Sequence, residues 1–163
     1  MTDTGIIELA PRFADGDRMR LIGLGERYKE ATRDRIPMQW KQLHRRLGEV
    51  QGRADAAEFG LCYALAGDSS AFEYVTGVMV GEDAPLPDGF VERRIVPRRH
   101  AVFTHRGGIS GLQPLVHAIF RDWLPRSGHE AAGDPLFAEV YGEDFDPRSL
   151  SGVIEIWLPL AAR

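Results

Sequence analysis

Val153-Ile154-Glu155-Ile156-Trp157-Leu158-Pro159-Leu160 is the stretch whose reading organises the chain. Its β-branched and aromatic residues predict a strand. A side-chain period of two then sets Ile154, Ile156 and Leu158 on one face and Glu155 and Trp157 on the other. The first face reads as core. The second places a carboxylate beside an indole inside an apolar run, and a buried charge needs a cationic or hydrogen-bonding partner. Two readings of Glu155 follow: a ligand-facing carboxylate, or a rim glutamate paired with one of the many arginines.

Working outward, hydrophobic periodicity supplies the preceding elements. Leu136 to Tyr141 predicts the strand before the closing one. Leu112, Leu115, Val116, Ile119, Phe120 and Trp123 recur at helical spacing behind a capping-box pair, Ser110 and Gln113, and Leu124-Pro125 and Gly128 mark the helix end. Val91 to Val96 and Arg99 to His105 read as strands. The same grammar runs earlier in the chain. Ile6 to Phe13 and Arg18 to Tyr28 predict a hairpin around Asp15-Gly16-Asp17. A helix is expected over Pro37 to Leu47, then strands over Glu58 to Leu65 and Phe72 to Val80. Pro85, Pro87 and Gly89 punctuate a linker over 82–89. The fold expected is therefore α+β, two β-α-β-β halves (about 6–81 and 90–161) with antiparallel sheets, pseudo-twofold symmetry and a central groove. Junctions of that kind are preferred ligand sites.

Composition narrows the function. Twenty Lys and Arg against twenty-four Asp and Glu give a net charge of −4, and the charges are interleaved, so no electrostatic footprint for nucleic acid is present. The single Cys62 excludes an internal disulfide framework and sits in an alternating apolar run, where packing explains it. With no leader-like or membrane-length apolar run, the expectation is a cytoplasmic protein with no membrane association. The five histidines lack metal-ligand spacing and Gly107-Gly108 lacks a phosphate-loop fingerprint, so neither metal nor cofactor is expected. No serine sits in a nucleophile elbow, and Cys62 has no evident histidine partner.

Four segments in order carry a family resemblance: Ala101-Val102-Phe103-Thr104-His105-Arg106-Gly107-Gly108, Trp123-Leu124-Pro125-Arg126-Ser127-Gly128-His129-Glu130, Tyr141 with Phe145, and Ile154-Glu155-Ile156-Trp157-Leu158-Pro159. Together they resemble the GyrI-like small-molecule-binding family, the effector-binding domain also found in AraC-type and MerR-type regulators. The resemblance covers about Ile7 to Leu160. It implies a groove that binds hydrophobic, cationic aromatic compounds and a groove-facing glutamate at Glu155. His129 departs from the tyrosine usual at its position. No helix-turn-helix segment is read at either end, so direct nucleic-acid contact is not expected.

On the premise that the halves pack by their helices and turn their other sheet faces to the groove, Trp157, Phe137, Glu139 and Tyr141 share the phase of Glu155. Tyr63, Tyr74 and Phe59 join them from the first half, with Trp40 and Tyr28 near the edge. The expected ligand-binding set is Glu155, Trp157, Tyr141, Phe137, Tyr63, Trp40 and Tyr74. Aromatic walls with one carboxylate suit a planar cation. Three functions are compatible: a stand-alone binding protein, a hydrolase of cyclopropane-bearing genotoxins with Glu155 catalytic, and a module that contacts a transcription regulator or DNA gyrase.

Overall fold

A computed structural model describes residues 9–162. Eight antiparallel strands form one sheet: β1 (Arg12–Gly16), β2 (Met19–Lys29), β3 (Arg53–Leu65), β4 (Asp68–Val80), β5 (Val91–Ile95), β6 (Arg98–Gly108), β7 (Phe137–Tyr141) and β8 (Ser151–Pro159), in the order β1-β6-β8-β7-β3-β4-β2-β5. Helix α1 (Ile36–Arg46) joins β2 to β3. Between β6 and β7 the chain runs through α2 (Leu112–Ala118), a π-helical turn (Ile119–Trp123) and α3 (Leu124–Ser127). The β-α-β-β unit thus occurs twice, as β2-α1-β3-β4 and β6-α2-β7-β8, and the two units meet where β3 pairs with β7 from Glu58↔Tyr141 to Cys62↔Phe137.

The edge strands are exchanged between the units. β1 pairs with β6 (Phe13↔Ala101) and β5 pairs with β2 (Met19↔Ile95), so the expected hairpin of the first two strands does not form; its Ile6 to Glu8 part lies outside the described residues. Only Asp17 and Arg18 separate β1 from β2, which lie near opposite ends of the strand order. In a flat sheet that gap would be roughly 29 Å at the usual strand spacing, whereas three links reach roughly 11 Å. The sheet therefore curls until its edges approach. Its helix-free face buries Leu21, Phe59, Leu61, Val75 and Ile95.

The other face carries the helices. Phe103, Leu112, Leu115, Ile119, Ile154, Ile156 and Leu158 form the core under α2, which bears out the predicted inner face of the last strand. Ile22, Leu43, Val78, Val80 and Phe90 form the core under α1. The capping-box expectation fails: the α2 N-cap is Gly111, no side chain caps it, and Ser110 lies in the preceding 3-10 turn. Nor does Pro125 end the helix. It occupies the first turn of α3, where no amide is required, and Gly128 in the left-handed region (φ 76°) stops the chain. Among the described residues no helix is long and apolar enough to cross a membrane.

Candidate functional site

A cleft of about 1010 Å³ lies on the helix side of the sheet, between α1 and α2 and above β7, β3 and β4. Its position follows from the fold. Each helix covers its own unit, and the strands where the units meet stay uncovered between them. A volume of this size suits a drug-sized molecule.

Glu139 lies at its floor. On β7 the alternation Phe137-Ala138-Glu139-Val140-Tyr141 sends Phe137, Glu139 and Tyr141 to the cleft. Glu139 Oε1 accepts from the Tyr141 hydroxyl at 3.0 Å and from the Tyr74 hydroxyl. The Tyr74 oxygen in turn accepts from Trp40 Nε1 at 3.2 Å. Burial pushes the Glu139 carboxyl above the usual carboxylate value, while the two hydroxyl bonds and the charge of Arg33 pull it partly back. Burial, reinforced by the neighbouring Glu139 charge, raises both tyrosines well above a free phenol. The hydroxyls therefore keep their protons and donate to the half-buried carboxyl group.

Aromatic rings wall this carboxylate. Trp40 stands edge-on to Tyr141 at 5.1 Å, Phe145 stands edge-on to Tyr141 from the other side at 4.9 Å, and Phe137 and Phe72 complete the lining. Trp40 is placed by its neighbour Gln39, a buried polar residue whose Nε2 donates to the carbonyls of Leu24 (2.8 Å) and Tyr74 (2.9 Å) and whose Oε1 accepts from Tyr28 (2.6 Å). That peg fixes α1 over β2 and β4. Gly60 of β3 lies opposite Glu139, and its missing side chain is the room in which the Tyr74 hydroxyl and the carboxylate meet. His44 and Glu58 also line the cleft, with Nε2 and Oε1 2.6 Å apart. Cys62, on the same floor, has its thiol pushed up to about 12 by burial and the charge of Glu139, which makes it unreactive.

Of the residues expected from sequence, Trp40, Tyr74, Phe137 and Tyr141 come together here, whereas Glu155, Trp157 and Tyr63 are absent from the lining. The reason is register. Glu155 opposes Val140, and Glu139 opposes Ile156, so Glu155 and Glu139 point to opposite faces. The premise about faces also fails, since the cleft is on the helix side. Glu155 Oε2 instead accepts from Arg12 at 2.9 Å and its Oε1 from Trp157 Nε1 at 3.0 Å, with the Arg12 guanidinium 5.4 Å from the indole centroid. This is the rim-glutamate alternative. Tyr63 lies beside Arg93, 5.6 Å from its ring, and Tyr28 is buried against Gln39 outside the cleft. Glu139 was placed in the groove-facing phase and Phe145 among the family segments, but neither entered the expected binding set, and Phe72 and Gln39 were not singled out. An acid alternating with two aromatics on β7 was the available signal for Glu139.

Among the described residues no group of three or more His, Cys, Asp and Glu could hold a metal ion. Comparison with known proteins places the chain in a family. The transcriptional regulator BrlR of Pseudomonas aeruginosa is 26% identical over 151 residues, covering 91% of this chain and 54% of the regulator, so the chain spans about half the length of that relative. The structure of SAV2435 bound to tetraphenylphosphonium superposes with a TM-score of 0.74 at 17% identity, covering 94% of this chain and 95% of that one. A hydrolase from Listeria innocua superposes with a TM-score of 0.58 at 10% identity, covering 96% and 94%. The profile of the GyrI-like small molecule binding domain matches residues 10–161, and the chain belongs to that family.

Proposed function

We propose that the chain binds a hydrophobic, cationic aromatic compound in the cleft between α1 and α2, with Glu139 as the counter-charge. The carrying observation is a half-buried carboxylate held by two tyrosine hydroxyls on the floor of an aromatic-lined cleft. Ring faces attract positive charge, and a half-buried carboxylate gives up only part of its hydration when a cation arrives. The neighbour bound to tetraphenylphosphonium points the same way. The similarity to the transcriptional regulator BrlR supports a sensing role for ligand occupancy of this cleft.

A second reading, hydrolysis of a cyclopropane-bearing electrophile, is supported by the same raised carboxyl with tyrosine hydroxyls beside it. Glu139 would take a proton from a water attacking the strained ring carbon as the ring C–C bond breaks toward the conjugated system. A thermal-shift panel of lipophilic cations and size-matched neutral aromatics, with product analysis of electrophilic hits, separates the two. Saturation raises the melting midpoint by mass action. Cation-selective stabilisation without turnover is the expected result. Equal stabilisation by the neutral compounds would refute the counter-charge role, and a hydrolysed product would replace binding with catalysis.

A further inference from the structure

Charged side chains of both signs line the cleft, with Arg33, Lys41 and Arg148 beside Glu30, Glu58 and Asp68. Arg33 lies in the 3-10 turn Glu30–Arg35 that leads into α1 and lines the cleft with Phe72 and Gln113. Its guanidinium lies 5.4 Å from the Phe72 ring centroid and donates to Glu30 Oε2 at 3.0 Å. From the α2 side, the Gln113 amide, turned oxygen-first, meets it at 2.9–3.1 Å. Arg33 thus reaches from one wall of the cleft to the other. The Glu30 partner is 78% exposed, so that pair is weak in water and readily exchanged. A guanidinium offers five donors in a planar fork that matches a carboxylate, and here it lies over the Phe72 ring. Its charge also reaches the floor, where it pulls down both Glu139 and Cys62.

A bare cation in this cleft gains from Glu139 and meets the like charge of Arg33, which the exposed Glu30 only partly offsets. A molecule with an anionic group beside its cationic rings meets a partner at each end. We propose that the cleft selects amphoteric aromatic ligands, a delocalised cation bearing a carboxylate, with the cation at Glu139 and the carboxylate on Arg33. The inference rests on the cation-binding reading of Glu139 and adds Arg33 as a determinant of specificity.

Rhodamine B and its ethyl ester form a matched pair, sharing one cationic xanthylium ring and differing in whether the carboxylate is free. Fluorescence anisotropy titrations at neutral pH compare both dyes on wild type, Arg33→Gln and Glu139→Gln. The preference is a ratio of affinities on a single protein, so the fraction folded does not enter it. Wild type should bind the free acid at least about fivefold more tightly than the ester, the scale of one charge-assisted bidentate contact partly offset by exposure. Arg33→Gln should erase that preference by weakening the acid and leaving the ester as tight or tighter. Glu139→Gln should weaken both dyes and keep the preference. A wild type that favours the ester, or an acid-to-ester ratio unmoved in Arg33→Gln, overturns the Arg33 inference even where Glu139→Gln still weakens both dyes. Undiminished binding of both dyes by Glu139→Gln overturns the cation reading itself.

Discussion

Replacing Gly60 with alanine inserts one methyl group beneath the cleft floor. An ideal Cβ there stands 2.6 Å from Glu139 Oε1 and 2.8 Å from Tyr74 Cζ, and nearer still to the Tyr74 hydroxyl oxygen, whereas real Cβ atoms essentially never approach within 3.0 Å. The hydroxyl and carboxylate must move apart. Overpacking of this kind costs about 1–3 kcal/mol, and a displaced bond to a charged group forfeits about 1.5–3 kcal/mol more. Alanine in a strand recovers only about 0.5–1 kcal/mol over glycine. Because the two costs overlap and the ring can shift, the expected net loss is about 1–3 kcal/mol, a fall in Tm of about 2–12 °C for a chain of this length. Tyr74→Phe removes the nearest obstructing atom, so the double variant should lose less than the sum of the single variants by about 1 kcal/mol. Thermal melts of the four proteins measure both quantities. A raised Tm for Gly60→Ala, with strict additivity, would refute the claim that Gly60 is needed for the room it leaves to the Tyr74–Glu139 pair.

Three further outcomes follow from the same geometry. Glu155→Gln breaks only a partly exposed pair with Arg12 (28% and 53% exposed), so stability should change by less than about 1 kcal/mol and cleft ligands should bind as before; a tenfold loss of affinity would return Glu155 to the site. The Glu139 carboxyl is raised above its ordinary value of 4.5, so the folded chain holds this proton more tightly than the unfolded chain. The stability it contributes is complete below pH 4.5 and is lost as pH rises through the folded value, while cation affinity grows over the same window; calorimetric titrations across that range should show the rise, and Glu139→Gln should flatten it. His100 is buried, bonded through Nδ1 to the Arg98 carbonyl at 3.0 Å, and lowered by burial from 6.5. Its contribution is present above pH 6.5 and is lost as pH falls through the folded value, so urea midpoints should drop on acidification in wild type and less in His100→Asn.

How far the sequence was legible depended on the range of the interaction. Period-two and helical spacing located the last strand, the helix at Pro37 to Leu47 and the repeated β-α-β-β order, because those patterns are local. The partner of each edge strand was not legible. A two-residue link such as Asp17-Arg18 signals a hairpin, and only the curl of the whole sheet turns it into a crossing to another unit. The site was half legible for the same reason. Trp40, Tyr74, Phe137 and Tyr141 were identified by residue type, although the sheet face assigned to the groove was the wrong one. Glu139 and Glu155 were assigned to one face, whereas the β7–β8 register sets them on opposite faces, and register is set by pairing that no local pattern reveals. Gln39 illustrates the opposite case: an ordinary glutamine on a helix becomes the peg that orients Trp40 only once β2 and β4 lie beneath it.

Titration calorimetry of tetraphenylphosphonium into wild type, Glu139→Gln and Glu155→Gln tests the central claim most directly. Glu139→Gln keeps an acceptor for the two tyrosine hydroxyls and removes only the charge. The account predicts saturable binding to wild type and Glu155→Gln, and affinity at least about tenfold weaker in Glu139→Gln, the worth of one charge-assisted contact, with its melting curve no lower than wild type. Equal affinity in wild type and Glu139→Gln, or a loss confined to Glu155→Gln, would contradict it.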